Sequence, residues 1–480
     1  MKWIQGWDRQ EEQVLPARVE DYVGAENPVR FVEVFAEGLD LRGLGFRFPK
    51  EDKAGRGRPG YRPADMLKLY LYGYVHGVRS SRRLERECRC NLEVMWLLGN
   101  LVPDFKTIAD FRRDNAAAFK AVARRFTEVC RELDLFGRQL LAVDGTKLKA
   151  QNARDRNWSR DRLEKQLQLA QEKLAGYLAA LDRADTQEDR VPEQVAGLQA
   201  KLARWQERQS QVEERLEKLS ASGQEQLSET DPDSRGMKGA HGHLVGYNLQ
   251  GVADAKHHLL AVLEVTNQPC DQGQLAPMAE AAKEVLGIKT AELLADGGYY
   301  KSQDIKHCQE IGLEPYVPEP GRKDGLYDQR DFTYDAQANV YRCPAGQQLR
   351  YRRTVEDKGT KRFNYDHPAA CAGCALRSKC TKSTYRVVSR WEHAPCLEQM
   401  REKVAASPTK MALRKTLIEH PWGTIKHLLA GGFLVKGLQR VGAEVSLAHI
   451  AYNLKRALAV VGLSKLMAAC QNGKVQPQVA

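Results

Sequence analysis

The sequence has no long hydrophobic segment. No apolar run approaches the length of about 18 residues that a membrane-spanning helix needs, and no signal-like apolar stretch follows Met1. We therefore expect a cytoplasmic protein. In a reducing compartment its 11 cysteines are better explained as thiols or metal ligands than as disulfides.

Acidic residues are fewer than basic ones. The chain has 74 lysines and arginines against 62 aspartates and glutamates, a formal net charge of +12 at pH 7. This balance favours a polyanionic partner, most often nucleic acid, although many basic proteins bind nothing specific. The length of 480 residues, with 42% hydrophobic and 28% charged residues, predicts two to four globular domains.

Two acidic residues each end a short apolar run. Asp144 follows 140–143 and Asp296 follows 293–295, and a glycine comes directly after each. An unpaired carboxylate there is costly unless it binds metal or accepts hydrogen bonds, and glycine lets a ligand approach closely. We predict that both aspartates converge with Glu419, on a helix over 408–430, around Mg²⁺, which prefers oxygen ligands. The alternative is a pair of acids that only cap strand ends.

Two lysines flank Glu419 on the same predicted helix. Lys426 lies seven residues later, about 20° away around the helix, and Lys415 lies four residues earlier. Each would either contact a phosphate beside the metal or be an ordinary surface lysine.

The elements around these acids follow a mixed order. The predicted series is strands at 140–150, 243–254 and 259–266, a helix at 274–286, a strand ending at Asp296, a helix at 301–312 and an extended segment at 315–318. This is the element order of the ribonuclease-H-like fold. We therefore predict an α/β protein with a ribonuclease-H-like mixed sheet and flanking helices over 138–460.

Two insertions would interrupt that domain. Apolar residues recur at heptad spacing on both sides of a polar turn at 184–189, which predicts an antiparallel helical hairpin over 155–225. It would pack on itself or mediate dimerisation. A second insertion, over 320–390, carries four cysteines spaced C-x27-C-x2-C-x5-C: Cys343, Cys371, Cys374 and Cys380. They predict one structural Zn²⁺, with an iron–sulfur cluster or plain thiols as the other readings.

The first 130 residues are predicted to be helical, and the part from 55 to 91 is strongly basic. Short helices joined by tight turns, with basic residues on an exposed face, fit a helix-turn-helix-like DNA-binding unit. The alternative is a solvated helical bundle. The predicted DNA-contacting residues of this region are Arg58, Arg62, Arg79, Arg82, Arg83, Lys106 and Arg112.

Several blocks of the sequence, in order, resemble the DDE transposases of bacterial insertion sequences. They are AVDGT (142–146), GYNLQ (246–250), VTNQP (265–269), DGGY (296–299) and EHPWGTIK (419–426), with GRPGYRP (57–63) and FKTIADFR (105–112) resembling the N-terminal domain of that family. The resemblance covers about residues 15 to 460. It implies a catalytic triad of Asp144, Asp296 and Glu419 with Mg²⁺ or Mn²⁺. It also implies double-stranded DNA partners, namely terminal inverted repeats and target DNA, a homodimer on DNA, and a bacterial, nucleoid-associated protein.

One part of the family pattern differs. Related transposases carry Tyr-x2-Arg-x3-Glu-x6-Lys around the glutamate, whereas here Lys415 stands at the arginine position and Ala412 at the tyrosine position. Lysine keeps the charge but loses bidentate phosphate contact. Two other functions therefore stay open: a degenerate copy that binds DNA without cutting it, and a ribonuclease-H-like nuclease that hydrolyses DNA without joining strands.

Overall fold

Helices form the N-terminal part of the protein. The computed structural model describes residues 18–48, 60–185, 192–239, 242–321, 325–357 and 360–472. The helices before the first strand are α1 (Val29–Glu37), α2 (Pro63–Val75), α3 (Ser81–Cys90), α4 (Leu92–Leu98), α5 (Phe105–Asp114) and α6 (Ala116–Glu132).

Local sequence explains where several of these helices begin. Pro63 occupies the first turn of α2, where its missing N–H costs nothing. The Asn91 side chain accepts hydrogen bonds from two backbone N–H groups at the start of α4, and Asp104 does the same for α5. Gly99, in the left-handed conformation, ends α4. The predicted all-helical character of this region is confirmed for its described residues.

A mixed sheet follows the helices. Its strands are β1 (Leu140–Lys149), β4 (Arg235–Gly239), β5 (Gly242–Asp254), β6 (Leu260–Thr266), β7 (Ala291–Leu294) and β8 (Leu313–Tyr316). β1 lies between β5, to which it is antiparallel, and β7, to which it is parallel. β8 extends the sheet parallel to β7, while β4 and β6 both pair with β5. The predicted mixed α/β architecture is confirmed.

β1 agrees with the predicted strand at 140–150, so the apolar run ends at Asp144 while the strand continues past it. β1 runs on through Asp144 to Lys149 and pairs with β5 over this length, with Asp144 opposite Gly251. On its other edge it pairs with β7 only at 140–142. Asp144 therefore lies within β1, at the point where the β7 edge becomes open.

Helices cover the sheet and join it to the N-terminal region. They are α9 (Leu275–Leu286), α10 (Ser302–Glu310), α13 (Ala394–Ala406), α14 (Pro408–Leu428) and α15 (Leu438–Asn472), the last kinked at Gly462. Buried residues of α1, α2 and α6 belong to the same continuous core as those of the sheet and α15. The N-terminal helices are thus packed onto the sheet region through α15. No helix in the described ranges has the length and apolar character needed to cross a bilayer.

Two segments stand apart from this core. The first is the helical pair α7 (Arg160–Asp185) and α8 (Pro192–Ser222), closed at its base by pairing of β2 (Asn157–Ser159) with β3 (Gln226–Ser228). The second is an antiparallel sheet that also carries the short helices α11 (Pro368–Ala372) and α12 (Arg377–Cys380). Its strands, in spatial order, are β13 (Val387–Trp391), β12 (Thr360–Asp366), β11 (Gln348–Asp357), β10 (Val340–Arg342) and β9 (Thr333–Asp335).

A buried ion pair joins the N-terminal helices to the C-terminal ones. Glu444 of α15 is fully buried, and its carboxylate lies 3.1 Å from Arg112 Nη1 and 3.6 Å from Arg79 Nη1. The backbone N–H of Leu434 donates to the same carboxylate. Burial raises the pKa of Glu444, while Arg112 opposes that rise.

We expect Arg112→Met to destabilise the protein, because it leaves Glu444 buried with only Arg79 and the Leu434 N–H as partners. Removal of one member of a buried pair typically costs about 3–5 kcal/mol, and Arg79 keeps the expected loss near the lower end. Denaturant unfolding would measure it. Arg113→Met, at an exposed arginine of the same helix, is the matched control, and equal midpoints for the two variants would contradict the assignment.

Candidate active site

Asp144 and Asp296 lie at the same level of two neighbouring strands. Ala142 pairs in parallel with Leu294, and each aspartate comes two residues later. Since side chains alternate between faces, both carboxylates are directed to the same side of the sheet. The predicted proximity of these two aspartates agrees with this geometry.

The environment of Asp144 disfavours ionisation of its carboxyl and raises its pKa. The pKa of Asp144 is raised to about 6, mainly by burial and in addition by the nearby carboxylates of Asp296 and Asp271. Arg414 opposes the rise, with its Nη1 3.7 Å from Asp144 Oδ2, as does the Gly145 N–H, which donates to Oδ1 at 2.9 Å. A cation bound beside Asp144, in addition to Arg414, would offset the repulsion between Asp144 and the carboxylates of Asp296 and Asp271.

The carboxylate of Asp296 makes a hydrogen bond in the turn after β7, and the side chain is partly exposed. It follows β7 and caps a short 3₁₀ helix at Gly297–Tyr299 by accepting a hydrogen bond from the Gly298 N–H at 2.9 Å. The capping alternative is therefore correct for one oxygen of Asp296. Its other oxygen accepts no hydrogen bond from the described residues.

Asp271 is a site residue that the sequence analysis missed. It follows β6 and precedes α9, and its Oδ1 accepts hydrogen bonds from Asn248 Nδ2 and Gln250 Nε2, each at 2.8 Å. Both amides belong to β5, next to β1. The signal available in the sequence was an acid just after the VTNQP block (265–269), at the end of a strand.

A buried tyrosine lies among the three aspartates. Tyr299 is fully buried and donates its hydroxyl hydrogen to Gln250 Oε1. Burial raises the pKa of Tyr299 well above its ordinary value, and Asp271, Asp144 and Asp296, in that order, raise it further. The tyrosine therefore links the turn after β7 to the amide that holds Asp271.

Glu419 lies on the exposed flank of α14. Leu417, Ile418 and Trp422 are buried on the side of α14 that packs against the sheet. The ring of Trp422 lies 3.1 Å from the position that a Cβ on Gly251 would occupy. Trp422 is buried, as expected of a core residue. Glu419 is exposed, about 100° around the helix from Ile418. Its convergence with the two aspartates stays a prediction.

The arginine nearest Asp144 is Arg414, one residue before Lys415, which stands at the arginine position of the family pattern. Arg414, rather than Lys415, extends from α14 to Asp144. Lys415 and Lys426 are both exposed. The lysine at the expected arginine position therefore does not mean that the site lacks a guanidinium.

The predicted DNA-contacting residues of the N-terminal region divide into two groups. Arg112 is buried against Glu444, and Arg79 donates to the backbone oxygens of Ala430 and Gly432. For these two the prediction is wrong, because their guanidinium groups are engaged inside the protein. The residues with exposed side chains are Arg62, which pairs with Glu37, and Arg82, Arg83 and Lys106. Arg58 lies outside the described residues.

The four predicted zinc ligands lie around one cavity. Cys343, Cys371, Cys374 and Cys380 all line it, beside the apolar core of the β9–β13 sheet. The Gly346 N–H donates to the Cys343 carbonyl at 2.8 Å, and that turn requires the positive φ of 76° at Gly346. The Cys374 N–H donates to the Cys371 carbonyl at 3.3 Å. Two tight turns thus place these cysteines around the same cavity.

Neither the carboxylates around Asp144 nor the four cysteines are arranged with metal-coordination geometry in the described residues. Within the described part of the chain, no group of three or more His, Cys, Asp or Glu residues is placed so as to hold an ion. Metal binding at either place therefore requires side chains to move inward. The donor types fit nonetheless, with carboxylate and amide oxygens around Asp144 and thiols around Cys374.

Comparison with known proteins gives two family matches. A family model described as "Transposase domain (DUF772)" matches residues 17–114, and one described as "Transposase DDE domain" matches residues 342–458. The second range includes Glu419 and the four cysteines, whereas Asp144 and Asp296 lie outside both.

No curated protein matches the chain. Among solved structures, the cryo-EM structure of a piggyBac transposase synaptic complex with hairpin DNA aligns over 95% of this chain and 87% of that one, at 8% identity and a TM-score of 0.23. That score is too low to support an argument about fold or function. The two family matches, in this order along one chain, support a DDE transposase of the insertion-sequence type.

Proposed function

We propose that the protein cleaves the ends of its own mobile element and joins the freed 3′-hydroxyls to target DNA by metal-dependent phosphoryl transfer. The observation that carries this proposal is the placement of Asp144 and Asp296 at one level of two parallel strands, beside the open edge of β1. Two carboxylates so arranged favour a divalent cation between them.

We also propose that the sheet is ribonuclease-H-like. Its order β6-β5-β1-β7-β8 has three antiparallel strands followed by two that are parallel to the first. This is the order expected from the sequence, with the helical pair inserted after β1. It accounts for the separation of the two aspartates in sequence and their proximity in space.

Asp144 and Asp296 would hold Mg²⁺ or Mn²⁺. The bound cation supplies Lewis-acid activation of the attacking hydroxyl and stabilises the leaving oxygen. The residues of the chain have other tasks: Arg414 orients Asp144, while Lys415 and Lys426, exposed on α14, are available to contact phosphates.

Glu419 would complete the triad when DNA is bound. Pro421 lies two residues further along α14 and has no N–H to donate to the carbonyl of the preceding turn. The helix is therefore easiest to bend close to Glu419. The exposure of Glu419, together with Ala412 at the tyrosine position, is also the observation that favours the alternative function, a copy that binds DNA without cutting it.

Double-stranded DNA would contact the exposed basic residues near the starts of α3 and α5. Arg82 lies over the ring of Phe105 at 5.1 Å, which places it beside Lys106, and Arg83 is exposed next to it. Such residues bind phosphates rather than read bases. The net charge of +12 supports the same partner.

The four cysteines would bind one structural Zn²⁺ after the thiols rotate toward their shared cavity. Small modules with little apolar core are often stabilised by a metal. The core of this module consists of Phe332, Tyr341, Leu349, Tyr365 and Val388.

The helical pair α7–α8 would join two copies of the chain on DNA. Its internal core is Leu163, Val212 and Leu219, packed with Trp158. Two large apolar side chains remain outside that core, since Leu169 is 42% exposed and Leu178 is 50% exposed. Their burial against a second copy would provide apolar contact area for a dimer.

Asp296→Asn is expected to reduce cleavage of a labelled element end in Mg²⁺ by at least about a hundredfold, because metal stabilisation of the transition state is worth several kcal/mol. DNA binding should stay unchanged in a gel-shift measurement. The matched control is Glu280→Gln, at an acid that is paired with His307 away from the site. Wild-type protein that binds without cutting would support the degenerate copy, and cutting without joining would support the nuclease.

Purified protein is expected to contain about one zinc per chain by elemental analysis, as a four-thiolate site binds one ion. Cys374→Ser should lose most of that zinc and lower the melting temperature. Cys396→Ser, at a cysteine that does not line the cavity, should retain it. Much less than one zinc per wild-type chain would rule the site out.

Replacement of Leu169 and Leu178 by serine is expected to weaken the dimer on an element end at least about tenfold, because each exposed side chain would lose about 1.5 kcal/mol or more of burial. Mass measurement of the DNA complex would detect it. Serine in place of buried Leu163 is unsuitable as a control, since it would unfold the pair. The control is Gln168→Ser, at an exposed polar residue of α7. An unchanged dimer in the double variant would remove the hypothesis.

A further inference from the structure

We propose that Asp271 is a cation-binding residue of the site, acting beside Asp296, and that Asn248 and Gln250 hold it in position. This inference rests on the proposed function, because it concerns the same cation. It adds an acid that neither the resemblance nor the family matches assign.

The hydrogen bonds of Asp271 leave one of its oxygens available. Both amide donors, Asn248 Nδ2 and Gln250 Nε2, bind Oδ1, whereas Oδ2 has only the Lys147 Nζ nearby, at 4.0 Å. Asp271 Oδ2 lies 3.8 Å from the position that a Cβ on Gly298 would occupy, and Asp296 Oδ1 lies 3.0 Å from the same point. The two carboxylates therefore lie on either side of Gly298, with Asp296 Oδ1 accepting from the Gly298 N–H and with Asp296 Oδ2 and Asp271 Oδ2 accepting no hydrogen bond from the described residues.

An unpartnered oxygen beside Asp271 independently indicates a missing ligand. Asn248 is fully buried, and its Oδ1 accepts no hydrogen bond from the described residues. Its orientation is set by the NH₂ group, which donates to Asp271 Oδ1 at 2.8 Å and to the Gln268 carbonyl oxygen, which can only accept, at 3.3 Å. A buried oxygen left alone costs about 1–3 kcal/mol. A cation, or a water bound to one, would satisfy it.

The space beside Gly145 brings these atoms together. A Cβ at that glycine would meet Gln250 Nε2 at 2.5 Å, Asp271 Oδ1 at 2.6 Å and Asn248 Oδ1 at 3.2 Å. The absence of a side chain at Gly145, directly after Asp144, thus lets the amides and Asp271 approach β1. Tyr299 then holds Gln250 from the far side.

A purely structural role for Asp271 makes a different prediction from cation binding. Asparagine at this position keeps an Oδ1 that accepts from both amides and removes only the charge and the second oxygen. If Asp271 serves only to hold its loop, Asp271→Asn should behave as wild type. If it binds the cation, affinity should fall while the fold is retained.

The test measures binding of Mn²⁺ alone to the full-length, DNA-free protein, by electron paramagnetic resonance of the free ion. Asp271→Asn is expected to raise the Kd for Mn²⁺ about tenfold or more. Glu280→Gln, the matched control, should change it less than about twofold. Lys147→Gln removes the cation nearest Asp271 Oδ2 and should lower the Kd, which keeps the test informative if Asp271→Asn fails to fold.

Equal Mn²⁺ affinity for wild type and Asp271→Asn, in a folded variant, would overturn the proposal. Cleavage of element ends by wild type would in that case leave the proposed function standing. Conversely, Mn²⁺ binding that depends on Asp271 in a protein that never cleaves DNA would uphold this site and reject the transposition chemistry. One measurement of Mn²⁺ binding and one of DNA cleavage therefore distinguish failure of the Asp271 proposal from failure of the proposed function.

Discussion

The unequal pairing of β1 on its two edges determines the arrangement of the site. Against β5 the strand is hydrogen-bonded through 141–149, whereas against β7 it is paired only through 140–142. Beyond that point its backbone edge is open, and Asp144 and the turn after β7 lie beside the opening. A longer β7 would pair with the rest of β1 and close the gap that Asp296 and Asp271 border. The insertions after β1 and after β8 do not disturb this because they leave the sheet at its ends.

Charge repulsion is the cost of this arrangement. Three aspartates lie close enough to act on one another and on Tyr299, and burial raises the pKa of Asp144 to about 6. Arg414 offsets only part of the repulsion, since its Nη1 is 3.7 Å from the carboxylate rather than at hydrogen-bond distance. A divalent cation would offset the remainder, and the oxygen-rich surroundings are of the type that Mg²⁺ and Mn²⁺ prefer.

Periodicity and turn signals predict the mixed α/β architecture that the structure shows, including the strand at 140–150, but not β4 or the β9–β13 sheet. The misses share a physical cause, since each depends on contacts distant in sequence. Arg112 has the appearance of an exposed basic residue until Glu444, far along the chain, is placed against it. Arg414 and Lys415 are adjacent, and only the orientation of α14 over β1 decides which one reaches Asp144. Asp271 lies in the loop after β6 ends at Thr266, so no apolar residue directly before it distinguished it from other loop acids.

The buried Glu444 also connects the N-terminal helices to the loop that follows α14. Arg79 holds the carbonyls of Ala430 and Gly432, just after α14 ends, and the carboxylate of Glu444 holds the Leu434 N–H in the same loop. The loop that ends the helix of Glu419 is therefore fixed to α3 and α5, whose exposed starts carry Arg82, Arg83 and Lys106. The exposed residues Arg82, Arg83 and Lys106 and the helix of Glu419 are thus connected through one set of buried contacts, although they belong to separate regions of the sequence.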